Sequence, residues 1–144
     1  MTTAIVSGFL VSIIFTFLSL VHFYWAFLGE MNLNYVIPEI DKEKAFEPTK
    51  LMTAGVAFGL LTAAFIILGH VGVFGLFQLN MVFKIGTWAI AILFLLRSIG
   101  DFKYVGFFKS IKNTKFAKWD YKLYSPLCLV ISILTFLVLF TNTP

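Results

Sequence analysis

The sequence predicts an all-α fold: an integral membrane four-helix bundle with an amphipathic interfacial segment between the third and fourth helices. Three observations carry that prediction. Of 144 residues, 60% are hydrophobic and only 12% charged, where soluble domains average roughly 45–50% and ~25%. The apolar residues gather into four runs, at about 4–28, 51–69, 81–100 and 124–141, each near the roughly 17–25 residues a spanning helix needs. Finally, the basic residues fall almost entirely on one side of the topology that four such spans define.

Taken in order, run 4–28 contains no Asp, Glu, Lys or Arg. At about 1.5 Å per residue it crosses a hydrocarbon core of roughly 30 Å with some tilt. It reads as a span rather than a cleaved leader, having no basic n-region, too long an apolar stretch and no small-residue cleavage motif after it. Loop one, 29–50, is polar and punctuated by Pro38 and Pro48, the latter suited to the start of the second helix. Loop two, 70–80, is short, glycine-rich and uncharged. The third run carries Lys84 near its start, which must snorkel outward, and ends at Arg97. Loop three, 101–123, interleaves six lysines with Phe102, Tyr104, Phe107, Phe108, Ile111, Phe116 and Trp119. Tyr104, Phe107, Phe108 and Ile111 recur at helical spacing, which predicts a segment lying in the interface plane. Its aromatics would face the bilayer, and Lys109, Lys112, Lys115 and Trp119 would contact anionic lipid headgroups.

Loops one and three, with Arg97, receive every basic residue of the chain except Lys84. Because cytoplasmic loops carry the Lys/Arg excess, these loops are expected on the cytoplasmic side and both termini outside. The spans also have distinct faces. Gly8, Ser12, Thr16, Ser19, His22 and Ala26 share one sector of the first helix. Gly55, Gly59 and Ala63 recur at four-residue spacing in the second, and Ser125, Cys128, Ser132 and Thr135 form a stripe on the fourth. Such small, weakly polar faces mark close helix–helix approach.

Ionisable groups within membrane spans are costly, usually face the protein interior and are functional candidates. His22 lies on the small-residue face of the first helix, while Arg97 and Asp101, four apart, would share a face of the third. With Tyr24, Trp25, Glu30, Tyr104, Tyr124 and Ser125 they converge on the lysine-rich side. The expectation is a polar, aromatic-rimmed ligand pocket there, with loop one as its cover. Arg97 would hold an anionic or carbonyl group, Asp101 would orient Arg97, and His22 would donate a hydrogen bond or exchange a proton.

Several chemistries are excluded. His22 and His70 sit at opposite ends of their helices, separated by roughly 20 Å of a ~30 Å core, so they cannot share a haem iron or a metal. No phosphate-binding loop, zinc-ligand spacing or nucleophile elbow occurs. A single cysteine provides neither a disulfide within the chain nor a thiolate metal cluster. No cofactor or metal is expected, and no nucleic-acid partner.

The segments His22-Phe23-Tyr24-Trp25-Ala26, Phe46-Glu47-Pro48 and Leu96-Arg97-Ser98-Ile99-Gly100-Asp101-Phe102-Lys103-Tyr104-Val105-Gly106-Phe107-Phe108-Lys109 carry a resemblance. It continues through Thr114, Phe116-Ala117, Asp120 and Tyr124-Ser125-Pro126-Leu127-Cys128. The chain resembles the family of small bacterial membrane proteins catalogued as domain of unknown function 3995. That resemblance implies a four-helix inner-membrane protein and implies no activity. Two functions from different classes stay open: binding or processing of a small lipophilic molecule or lipid, and a non-catalytic membrane subunit or scaffold. The latter would dock on itself, as a homo-oligomer, or on a partner through small-residue helix faces.

Overall fold

The computed structural model describes residues 2–29, 32–40, 43–76 and 80–141. Its long helices are α1 (Thr2–Phe27), α3 (Lys50–His70), α4 (Asn80–Ile99) and α6 (Ser125–Thr141), with short helices α2 (Leu33–Val36) and α5 (Lys115–Trp119) in the connections. Strands β1 (Glu39–Ile40) and β2 (Glu43–Lys44) pair antiparallel within loop one. Four helices are long and apolar enough to cross a membrane, the last running without interruption from Lys115 to Thr141. In a bilayer a helix satisfies its own backbone hydrogen bonds, which is why uninterrupted apolar runs take this form.

The helix boundaries follow local chemistry. Thr49 caps α3, its side chain accepting from the Met52 N–H at 3.2 Å, and Pro48 immediately precedes that cap. Thr114 caps α5 in the same way, accepting from the Ala117 N–H at 3.0 Å. From there the chain passes through a π-helical turn, Asp120–Tyr124, directly into α6. The fourth span therefore begins nine residues before the expected 124. Pro126, which cannot donate to the helical ladder, follows the wide turn that accommodates it.

The four long helices form a ring, α1 packing against α3 and α6, and α4 completing it against both. Val11, Phe15, Ala64, Ile67, Ile90, Ile131 and Val138 make the apolar core. Small polar residues tie helix to helix: Ser12 donates to the Ala64 carbonyl at 3.3 Å, Ser19 to Ala57 at 2.8 Å and Ser132 to Ala91 at 2.9 Å. These stripes on the first and fourth helices pack as their spacing predicts, although Thr16 faces outward and bonds to its own helix.

The stripe on α3 does so only at one end. Gly55 and Gly59 face outward, whereas Ala63 joins the core with Ala54, Ala57 and Ala64. Residues four apart advance by 400°, so a four-residue stripe drifts about 40° per step and cannot keep all three residues on the contact face. Large apolar side chains such as Phe17, Leu51, Phe58, Ile85, Leu93 and Phe140 are exposed around the outside, the surface a bilayer would cover.

The segment 101–114 departs from the expected interfacial helix. It is irregular, with left-handed backbone at Gly100 (φ 91°), Phe102 (φ 62°) and Gly106 (φ 89°). It folds back onto the end of α4 through Phe107 N–H to Ser98 O (2.9 Å) and closes on itself through Asp101 N–H to Val105 O (3.2 Å).

Candidate functional site

At the end of the bundle that carries loops one and three, the four helices part to enclose a cavity of about 510 Å³. Leu18, Val21, His22 and Trp25 line it from α1, and Met52, Thr53, Val56 and Leu60 from α3. Phe94 and Arg97 come from α4, and Phe116, Tyr124, Leu127 and Cys128 from the fourth span. Loop one covers the mouth with Val36, Ile37, Phe46 and Pro48. That cover is held against α5, where the Tyr35 and Trp119 rings meet edge to face at 6.3 Å and the Lys115 ammonium lies 5.5 Å from the Tyr35 ring centre.

The polar groups have defined partners. His22 Nδ1 lies 2.7 Å from the Leu18 carbonyl. A carbonyl can only accept, so Nδ1 carries a proton, and in the neutral tautomer that this contact selects Nε2 is the acceptor. The Trp25 ring packs edge-on against the imidazole at 5.3 Å. Arg97 donates through Nη2 to Asp120 Oδ1 at 2.9 Å, and its side chain is one-third exposed. The other carboxylate oxygen of Asp120 accepts from Lys109 Nζ and the Gly106 N–H, each at 2.8 Å, and Lys109 Nζ also donates to the Gly106 carbonyl at 2.9 Å. Asp120 and Lys109 are almost wholly buried. Two cations thus share one carboxylate where α4, the return loop and the fourth span meet.

This geometry revises several expectations. Asp101 does not orient Arg97; Asp120 does. Helix α4 ends at Ile99 and Gly100 turns left-handed, so four-residue spacing no longer puts Asp101 above Arg97. Asp101 instead accepts from the N–H groups of Lys103, Tyr104 and Val105 at 3.0, 2.7 and 2.9 Å. Lys109 is a buried ion-pair partner rather than a lipid contact, because the loop folds inward at Gly106. Lys112, Lys115 and Trp119 are exposed. Tyr24 is 54% exposed on the opposite face of α1. Tyr104 lies under the Lys103 ammonium, outside the cavity. Ser125 is fully buried beside the cavity rather than lining it, and its hydroxyl has no hydrogen-bond partner among the described residues. Glu30 lies outside the described residues.

His22, Trp25, Arg97 and Tyr124 remain together around one space. Sequence reasoning missed Asp120, which lies 23 residues from Arg97, where no local spacing could pair them. It also missed the place of Cys128 and Phe94 in the cavity wall. Two signals pointed to Asp120: its place just before the fourth apolar run and its position within the segments that carry the family resemblance.

Burial opposes ionisation of Asp101, but the three backbone donors outweigh it and hold the carboxyl below its ordinary value. Folding therefore disfavours its protonation. Its contribution is complete above the unfolded carboxylate pKa of about 3.9 and is lost as pH falls through the lower folded value. Amide exchange at Tyr104 and Val105 is expected to accelerate, relative to core amides, only below that range. An Asp101→Ala variant should show the acceleration at neutral pH. Equal protection in variant and parent would remove the assigned role.

A ring of four bilayer-length helices around an apolar cavity, with Arg97 the one cation among the described residues that line it, defines a class: small multi-pass membrane proteins. The model of the family described as "Protein of unknown function (DUF3995)" matches residues 15–135, and the chain belongs to that family. No curated protein and no solved structure matches it.

Proposed function

We propose that this protein binds a small lipophilic molecule or lipid in the cavity, within a bacterial inner membrane, with loops one and three in the cytoplasm. The observation that carries the reading is an apolar cavity of about 510 Å³, within the range of ligand sites, into whose wall Arg97, His22 and Tyr124 converge. Arg97, positioned by Asp120, would engage an anionic or carbonyl oxygen. His22, with Nδ1 held by Leu18, would present Nε2 to a ligand hydroxyl or accept a proton there. The sidedness rests on the distribution of lysines. An impermeant amine reagent is expected to modify Lys112 and Lys118 only after cells are opened.

Native mass spectrometry of gently solubilised protein tests the binding reading. A retained lipophilic species is expected on the parent protein and is expected to be lost from a Leu60→Trp variant, whose indole obstructs the apolar end of the cavity. Retention by both, or by neither, would count against the site.

A second reading, docking on a partner helix or a second copy, has one observation in its favour. Added methyl groups at Gly55 and Gly59 would meet nothing within 4 Å, so this α3 face is open to close approach. The same spectra give the subunit count. A stable dimer lost on Gly59→Leu, with no bound small molecule, would favour docking.

A further inference from the structure

The binding reading leaves the ligand's chemistry open, and on that reading the cavity's polarity narrows it. We propose that the site takes a single-chain amphiphile bearing one negative charge, of which a long-chain carboxylate is the simplest form. Its head lies against Arg97 and its chain points toward the middle of the bundle.

The cavity is graded along the helix axes. Trp25, Met52, Arg97 and Tyr124 lie toward the loop end of their helices, while Leu18, Leu60, Phe94 and Leu127 lie deeper. Leu60 is two turns beyond Met52 on α3, which at about 1.5 Å per residue gives the apolar part a depth of roughly 12 Å. A polar head with one apolar tail matches that gradient.

The charge of the head follows from the charges present. Among the described lining residues Arg97 is the one cation, and none is acidic. Asp120, the one carboxylate paired with Arg97, is shared with Lys109. Asp101 is engaged by the amides of its own turn. Within this cluster of described residues two cations face one carboxylate, an excess of one positive charge beside the cavity. Arg97 also retains donor capacity: its one hydrogen bond among the described residues is Nη2 to Asp120, and a third of its side chain is exposed. A bound oxyanion would supply both the missing charge and an acceptor. A cationic or zwitterionic head would bring a second positive group to a wall whose described residues include no acid.

The test uses the full chain in a neutral detergent, with Trp88→Phe and Trp119→Phe substitutions so that Trp25 alone reports from the mouth. Brominated palmitate, its methyl ester and brominated hexadecanol are compared as quenchers, each with unbrominated competitor. Palmitate is expected to bind about tenfold or more tightly than the alcohol, the scale of a charge-assisted hydrogen bond. Arg97→Lys should keep part of that preference. Arg97→Gln should abolish it while leaving alcohol binding in place. Equal affinity of the three compounds for the unmutated site, or a preference for a brominated alkyl trimethylammonium, would overturn the proposal while the binding reading stood. Failure of all four to quench Trp25 competitively would remove the binding reading and this inference with it.

Discussion

Asp120→Ala is expected to be the most damaging single change of a polar side chain in this protein, at about 3–5 kcal/mol, the usual cost of breaking a buried pair by removing one partner. The carboxylate is fully buried and accepts from Arg97, Lys109 and the Gly106 N–H. Its loss leaves the Lys109 ammonium buried with only the Gly106 carbonyl and the Tyr121 ring, 5.6 Å away. Arg97, one-third exposed, can relax into the cavity, so the uncompensated charge on Lys109 dominates the cost. It follows that Asp120→Leu combined with Lys109→Met should recover a large part of the loss, a coupling that a double-mutant cycle measures. Thermal unfolding in one detergent reads all the variants. An Asp120→Ala protein as stable as its parent would show that the three contacts do not bear on the fold.

The second large effect is expected at Gly106. Its φ of 89° lies in the left-handed region, and a Cβ there would overlap the Ile99 carbonyl and the Gly100 Cα. Gly100, at φ 91°, is the reciprocal case, because its added Cβ would overlap the Val105 carbonyl. The two glycines let the return loop lie backbone against backbone on the end of α4. The obstacle is main chain, which cannot rotate aside as a side chain can. Gly106→Ala is therefore expected to lose roughly 3 kcal/mol or more, combining left-handed strain with overlap. The change also withdraws the Gly106 N–H and displaces Lys109, so Arg97 should lose its fixed position. Gly55→Ala, where a methyl meets nothing within 4 Å, is the control and is expected to be neutral or slightly stabilising. Similar unfolding temperatures for the Gly106 and Gly55 variants would refute the backbone argument.

These two predictions concern the part of the molecule where sequence reasoning was least successful. Helical spacing among Tyr104, Phe107, Phe108 and Ile111 suggested a surface helix, yet the periodicity is accidental. Gly100, Phe102 and Gly106 all adopt left-handed conformations that no helix contains. The same reversal separates Asp101 from Arg97 and carries Lys109 from an expected lipid-facing position into the interior. Where the backbone continues as a regular helix, the reasoning transferred well. The faces of α1 and α6 meet their neighbours through Ser12, Ser19 and Ser132, and His22 and Trp25 reach the cavity from one side of α1.

Composition and the length of the apolar runs were enough to determine four spanning helices and the end of the bundle where polar side chains gather. A bilayer-length helix closes its hydrogen bonds within itself, so its existence depends on nothing distant in the chain. The partner of Arg97, the burial of Lys109 and the reversal of the return loop at Gly106 were decided only in three dimensions. Each depends on where a turn sends the chain after a helix ends, and on which charge, 23 residues away in the case of Asp120, is then close enough to neutralise another in a medium that tolerates few unpaired ones.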